Sequence, residues 1–203
     1  MKLLVQLINE KLKIKKRIYK YHPKTKQELQ NIIKRRLIKE GFDVDLNDID
    51  VSKITDMSGL FEDANFNGDL SGWDVSNVTD MSGMFMNSSF NNDSICDWNV
   101  SKVKNMYGMF SVTKFNQDLG NWNIENVEDM GYMFSSCTEF EGNGLYKWNP
   151  IKLKKVYGMF SNCNALKCDL SNWDLSNVKE IDYLNMFLFT KSTRYKKPKY
   201  FND

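Results

Sequence analysis

The sequence has little of what catalysis and metal binding usually need. Its 203 residues include one histidine, His22, and no glycine-rich phosphate loop, nucleophile elbow or zinc-type cysteine spacing. General acid–base and triad chemistry needs a poised group and a partner for it, which a lone histidine does not supply. We therefore expect a protein that is not an enzyme and has no catalytic residue, metal site or cofactor.

Long apolar runs are also missing. No stretch approaches the roughly 20 apolar residues that cross a bilayer. The first apolar run, residues 3–8, is soon followed by Glu10 and Lys11 and lacks the cleavage pattern of a signal peptide. We expect no membrane span and no export signal, and a cytoplasmic or virion-associated location rather than a cell-surface one.

Cysteines are few, and they lie in the second half of the chain at Cys96, Cys137, Cys163 and Cys168. Without an export signal, free thiols in a reducing compartment are expected. A disulfide between Cys137 and Cys163 is the alternative, because both hold the same position in the sequence repeat described below.

The small net charge of +2 hides an asymmetry. Residues 1–40 contain 13 Lys and Arg against 3 Asp and Glu, residues 41–187 contain 10 against 22, and residues 188–203 contain 5 against 1. We divide the chain into a basic amphipathic N-terminal segment (1–21), a helical cap (22–44), a repeat region (45–187) and a basic C-terminal tail (188–203). An acidic body thus has basic ends.

Internal periodicity is the strongest signal in the chain. Tryptophan recurs every 24 to 26 residues and phenylalanine recurs in step with it, so stacked units would place like side chains on like. We predict about six units of 24–27 residues whose core contains a ladder of aromatic side chains. Its members are Trp73, Trp98, Trp122, Trp148, Trp173, Phe61, Phe85, Phe110, Phe134, Phe160 and Phe187.

Within a unit, residues 70–75 (LSGWDV) alternate loosely and end in a β-branched residue, which predicts a short strand, so that stacked units would form a parallel sheet. Residues 78–85 have apolar positions closer to a helical period, which predicts a short helix or 3₁₀ turn. The pattern therefore indicates an α/β or mainly-β repeat solenoid.

The segment before the repeats predicts an N-terminal helical cap. Thr25 and Glu28 have the spacing of a capping box, an apolar stripe follows, and Gly41 is a natural stop. The charged face of this helix could contact nucleic acid, or it could simply be solvated.

Two acidic columns and two irregularities complete the pattern. One column comprises Asp69, Asp93, Asp118 and Asp169, and the other comprises Asp56, Asp80, Asp129 and Glu180. We expect both columns to form turn and cap hydrogen bonds rather than a calcium site. Pro150 replaces an aliphatic residue and cannot donate a ladder hydrogen bond, so a bulge or weakened pairing is expected there as a defect, a hinge or a contact site. Leu184 and Asn185 lengthen the last unit.

Residues 66–85 (FNGDLSGWDVSNVTDMSGMF) resemble the repeat of BspA-like leucine-rich-repeat surface proteins. Residues 22–26, 45–50 and 54–57 resemble the helical lead-in that often precedes such repeats. The resemblance covers about residues 22–187 and implies a leucine-rich-repeat-like solenoid used for adhesion or other protein recognition. It brings no catalytic residue, and a short chain without a leader suits an intracellular or phage-encoded binding protein.

Three functions compete. A protein-interaction module would bind its partner through outward residues of the predicted sheet, namely Asp74, Asn99, Asn123, Asn149 and Asp174. A nucleic-acid-associated protein would use a basic patch of Lys13, Lys15, Lys16, Arg17, Lys34, Arg35 and Arg36. A structural component of a larger particle would dock through its first twelve residues.

Overall fold

The computed structural model describes residues 19–198. The regular elements there are helix α1 (Lys26–Glu40), two 3₁₀-helices (Asp93–Ile95 and Leu145–Lys147) and helix α2 (Glu180–Leu184). Turns make up much of the remaining backbone. Most of the predicted N-terminal segment, including Lys13, Lys15, Lys16 and Arg17, lies outside the described residues.

The predicted α/β or mainly-β, leucine-rich-repeat-like solenoid is wrong. Between residues 19 and 198 there is no strand and no sheet, and helices are few. Strand-like pairing there is limited to six isolated parallel bridges, four of which connect Asp56, Asp80, Asn105, Asp129 and Lys155 in succession. Each bridge involves a single residue per segment, which is too short for a strand.

Short polar side chains explain why residues 70–75 do not form the predicted strand. The Oδ1 atom of Asp69 accepts from the backbone N–H of Ser71 at 2.7 Å, and Oδ1 of Asp74 accepts from that of Ser76 at 3.1 Å. Such Asx turns bend the chain and occupy amides that a strand would offer to its neighbour. The segment is therefore bounded by turns at both ends.

Residues 78–85 do not form the predicted helical turn either. Gly83 has a φ angle of 59°, in the left-handed region that interrupts a right-handed helix, and Asn87, just after the segment, has a φ angle of 52°. Alternate amides point along the molecule instead: Gly83 N–H donates to Tyr107 O at 2.7 Å, and Asn87 N–H donates to Ser111 O at 2.8 Å. These bonds connect positions 24 residues apart.

The aromatic side chains that recur in sequence are also neighbours in space. The ring centroids of Trp73 and Trp98 are 6.4 Å apart with nearly parallel planes, and those of Phe85 and Phe110 are 5.7 Å apart. Ten of the eleven predicted ladder residues are buried, and Phe187 is half-buried against Phe160. Each indole N–H also donates to a backbone carbonyl, so the tryptophans bury area without leaving a donor unpaired.

Helix α1 begins and ends where its flanking residues can satisfy free backbone groups. The Thr25 hydroxyl accepts from Glu28 N–H at 3.2 Å, and the Glu28 carboxylate accepts from Lys24 N–H at 2.7 Å. Gly41, with φ 92°, donates its N–H to Leu37 O at 3.1 Å. The buried face of α1, formed by Leu29, Ile32 and Ile33, belongs to the same core as the aromatic residues.

The acidic columns form turn hydrogen bonds, as expected. In six of them, the Oδ1 atom accepts the backbone N–H two residues later, at distances between 2.7 and 3.0 Å. These residues are Asp56, Asp69, Asp80, Asp118, Asp129 and Asp169. Asp93 and Glu180 differ, because each is the first residue of a helix.

The turn that contains Pro150 keeps one backbone hydrogen bond found in another copy of the repeat. Pro150 is buried, and its carbonyl accepts from Leu153 N–H at 3.1 Å, as the Val75 carbonyl accepts from Val78 N–H at 2.9 Å. The expected weakening is not seen at this bond, because the position contributes its carbonyl, which proline retains. The segment is irregular one residue away, where Ile151 N–H donates to the Asn149 carbonyl at 3.0 Å.

The four cysteines are free thiols. Cys137 and Cys163 are fully buried, and their thiols donate to the carbonyl oxygens of Phe110 and Phe134 at 2.8 and 2.9 Å. Cys137 and Cys163 therefore do not form the alternative disulfide, because each sulfur is directed to a backbone carbonyl.

Candidate functional site

The five residues predicted to contact a partner are all exposed, but they do not lie on a sheet. Oδ1 atoms of Asp74, Asn99, Asn123 and Asp174 accept the N–H two residues later at 2.9 to 3.2 Å. In Asn149 the backbone carbonyl accepts from Ile151 N–H instead. Four of the five side chains therefore build turns, which leaves those four less capacity to bind a partner.

The described part of the predicted basic patch is divided. Lys34 and Arg35 are exposed, whereas Arg36 is held by its own chain. Its guanidinium lies 2.6 Å from the Asp48 carboxylate and 2.7 Å from that of Glu40, and it donates to a backbone carbonyl at 3.0 Å. Burial lowers the pKa of Arg36, but the hydrogen bond to Asp48 and the nearby Glu40 carboxylate together raise that pKa by more, so the group stays charged. Arg36 thus fastens α1 to the following loop.

The nucleic-acid hypothesis loses a further cation at the C-terminal end, where Lys196 pairs with Asp169 at 2.7 Å. The docking role proposed for residues 1–12 lies outside the part of the chain that the structure describes. Both alternative functions remain predictions.

A surface that the sequence analysis missed is the tyrosine cluster, formed by Tyr107, Tyr132 and Tyr157. The ring centroid of Tyr132 is 5.7 Å from that of Tyr107 and 5.3 Å from that of Tyr157. Tyr107 is 45% exposed, and the other two rings are half-buried. Exposed tyrosines that already pack on each other offer a large, rigid contact area.

The cluster depends on a local inversion of the sequence. Residues 107–108 and 157–158 read Tyr-Gly, whereas residues 131–132 read Gly-Tyr. A Cβ atom added at Gly131 would approach the Tyr107 ring to 3.2 Å, and one at Gly158 would approach the Tyr132 ring to 2.7 Å. Glycine at these two positions therefore leaves room for the rings of the cluster.

The inversion places Tyr132 in a conformation that tyrosine disfavours. Its φ angle is 55°, and the corresponding Gly59, Gly83, Gly108 and Gly158 have φ angles of 59° to 61°. The left-handed region costs a residue with a side chain about 1–2 kcal/mol. Strain of this kind concentrates at functional sites, where the surroundings enforce it.

The column of bridges holds the turns that carry these rings. Asn105 Oδ1 accepts from Tyr107 N–H at 3.0 Å, and Asp129 Oδ1 accepts from Gly131 N–H at 2.9 Å. Burial, and then the neighbouring Tyr157, raises the pKa of Tyr132, so its phenol is neutral at physiological pH. The cluster can therefore both donate and accept hydrogen bonds.

The four cysteine thiols have raised pKa values. Burial raises the pKa of Cys137 to about 11, and the pKa of Cys163 well above its usual value. Burial also raises the pKa of Cys96 to about 11 and that of Cys168 to about 12. A thiol must ionise to attack, so these four side chains are inert near neutral pH. Between residues 19 and 198, no three His, Cys, Asp or Glu side chains are grouped as metal ligands.

No helix in the described part of the chain is long and apolar enough to cross a membrane. A family model described as "Mycoplasma protein of unknown function, DUF285" matches residues 27–143 and also residues 88–200. The two matches overlap and together cover most of the chain. No curated protein and no solved structure matches it.

Proposed function

We propose that this chain, which belongs to the DUF285 family of Mycoplasma proteins of unknown function, is a non-catalytic protein-binding module. The tyrosine cluster is its contact surface. The resemblance of residues 66–85 to BspA-like repeats supports the same proposal, because it implies protein recognition or adhesion.

The observation that carries the proposal is the left-handed backbone of Tyr132. Four other copies of this position have glycine, which adopts the conformation without strain. A tyrosine here adds strain, yet it joins two separate rings into one surface. Tyrosine is enriched at protein interfaces and among the residues that dominate binding energy.

The non-catalytic part of the proposal is supported by the protonated thiols and by the surroundings of His22. That histidine is exposed and faces Asp50 at 3.3 Å. Its hydrogen-bond partner among residues 19–198 is the Asp50 carboxylate, whereas nucleophilic catalysis needs a nucleophile within reach of a base.

Site-specific photo-crosslinking in cells that express the protein tests the proposal. We expect p-benzoylphenylalanine at position 107 to capture one defined protein, which excess unlabelled wild-type protein displaces. The same probe at Tyr146 is the matched control, because that tyrosine is 56% exposed but outside the cluster. Equal capture from both positions, or capture that unlabelled protein does not displace, would contradict the proposal.

The variant Tyr132→Asn separates binding from folding. Asparagine tolerates the left-handed conformation, as Asn87 and Asn162 show with φ angles of 52° and 57°. We expect the variant to fold and to lose capture at position 107. Undiminished capture by a folded variant would exclude Tyr132 from the interface.

A further inference from the structure

A second surface combines the two irregularities of the sequence, the segment around Pro150 and the lengthened last unit. It is an open cavity of about 660 Å³, which we name the lysine pocket. Its lining comprises Glu128, Ile151, Lys152, Lys154, Lys155, Asn177, Lys179 and Asp182. None of these residues belongs to the tyrosine cluster.

The longer last unit creates one wall of the pocket. Tyr132 N–H donates to Tyr157 O, 25 positions later, whereas Gly158 N–H donates to Asn185 O, 27 positions later. The extra residues are accommodated as helix α2, whose start brings Lys179 and Asp182 to the pocket. Ile151, which is 46% exposed, also lines the pocket.

The pocket concentrates positive charge on an otherwise acidic body. Residues 41–187 contain ten lysines and no arginine, and four of those lysines line the pocket with only two carboxylates. Lys154 pairs with Glu128 at 2.7 Å, and Lys155 pairs with Asp129 at 3.0 Å. The hydrogen bond and the charge of Asp129 raise the pKa of Lys155, which keeps it protonated.

The two remaining lysines are less neutralised. Between residues 19 and 198, the hydrogen-bond acceptor of the Lys152 ammonium is the neutral amide oxygen of Asn126, at 2.7 Å. Lys179 forms no ion pair within residues 19–198. Both side chains are exposed, so their charges can be offered to a ligand in the cavity.

We propose that the lysine pocket binds an acidic peptide segment of a protein partner. Carboxylates of the segment pair with Lys152 and Lys179, and one apolar side chain packs on Ile151. Two features favour a peptide over a nucleic acid. Planar, bidentate recognition of phosphate relies on arginine, which is absent from residues 41–187. The excess of carboxylates in that region repels a long polyanion, whereas a short segment needs to reach only the pocket.

The chain provides a matched control for a binding test. Lys102 holds the position of Lys152 two units earlier and donates to Asn77 at the same distance of 2.7 Å. Lys53 continues this column and is also exposed. The double variants K152Q/K179Q and K53Q/K102Q therefore change the net charge equally, but only the first changes the pocket.

The probe is a fluorescein-labelled peptide of glutamates around one leucine, measured by fluorescence anisotropy with the full chain. We expect saturable binding that weakens with salt, about tenfold weaker binding by K152Q/K179Q, and a change below about twofold for K53Q/K102Q. Circular dichroism verifies that both variants are folded. No binding by the wild-type chain, or equal weakening in both double variants, would overturn the proposal.

Further binding measurements with the same peptide probe identify the class of ligand. The variant Ile151→Ser installs the residue found at Ser76, Ser101 and Ser176, and we expect it to abolish the preference for leucine over glycine in the peptide. Single-stranded DNA or inorganic phosphate that displaces the peptide at equal concentration would overturn the peptide assignment. Self-association lost in K152Q/K179Q would instead identify a second copy as the occupant. Tyr132→Asn should leave peptide affinity unchanged, so failure at either surface is distinguishable.

Discussion

The thiol of Cys137 and the hydroxyl of Thr113 donate to the same acceptor, the carbonyl oxygen of Phe110, each at 2.8 Å. Both side chains are buried, so this pair satisfies polar atoms inside an otherwise apolar core. Cys163 repeats the contact with Phe134. Cys137 and Cys163 thus serve as small buried hydrogen-bond donors.

The buried thiols predict a loss of stability at alkaline pH. Burial raises the pKa of Cys137 to about 11 from an ordinary value of 9.0. The folded state therefore retains a proton that the unfolded state releases, and the free energy of unfolding falls as pH rises from about 9 to about 11. For Cys137 the loss is about 2–3 kcal/mol. Urea titrations at pH 7, 9 and 10.5 measure it.

Cys137→Thr is the matched control for that loss, because threonine occupies the same position at Thr113 and has no group that titrates near pH 9. The variant should lose less stability between pH 7 and 10.5 than the wild type. Equal losses would show that Cys137 does not cause the dependence.

The period of the aromatic residues was a sound guide to side-chain contacts and a poor guide to backbone conformation. Trp73 and Trp98 are neighbours because their spacing equals the separation of positions that stack. The strand at residues 70–75 failed because Asp69 and Asp74 form Asx turns, which alternation of apolar residues does not reveal. Helix α1, by contrast, followed from local capping by Thr25.

Both candidate surfaces escaped the sequence analysis for physical reasons. The tyrosine cluster arises where Gly131 and Tyr132 exchange the usual order, and a search for like residues in columns overlooks an exchange. The lysine pocket requires Lys152 and Lys179 to meet across two units, and their proximity depends on how α2 absorbs the extra residues.

Arg36 and Arg35 should respond differently to the same substitution. Arg36→Lys loses the planar group that reaches Asp48, Glu40 and the Asp45 carbonyl together. We expect a loss of about 1–2 kcal/mol in the free energy of unfolding, because hydrogen bonds to charged groups contribute about that much. Arg35→Lys, at an exposed residue, should change it by less than about 0.5 kcal/mol. Urea denaturation compares the two, and equal effects would contradict the role of Arg36.

The C-terminal segment should detach locally when Asp169 loses its charge. Lys196 pairs with that carboxylate, and backbone bonds from Leu170 N–H to Lys196 O and from Lys196 N–H to Cys168 O lie alongside. Hydrogen bonds from Lys196 and Ser171 hold the pKa of Asp169 well below its usual range. The stabilisation is therefore present above the unfolded pKa of about 4 and is lost as pH falls through the lower, folded value.

Hydrogen exchange of the variant Asp169→Asn measures this at neutral pH. We expect faster exchange at residues 168–170 and 196, with unchanged exchange in α1. Asp118→Asn is the control, since Asp118 forms the same type of turn to Gly120 and has no ion pair with a lysine between residues 19 and 198. Faster exchange at residue 196 in that control would indicate a general effect of removing a carboxylate.

Tyr132→Asn should be less destabilising than Tyr107→Asn, although Tyr132 contacts two rings of the cluster and Tyr107 contacts one. Each lost ring pair costs about 0.5–1.5 kcal/mol. Only the change at residue 132 also relieves a left-handed backbone, which returns about 1–2 kcal/mol when a tolerant residue replaces tyrosine. At residue 132 the lost ring packing and the relieved strain nearly cancel, so we expect the free energy of unfolding to change by less than about 1 kcal/mol. At residue 107 we expect a clear loss. Urea denaturation of both variants decides the matter, and a larger loss at 132 would mean that ring packing outweighs the strain.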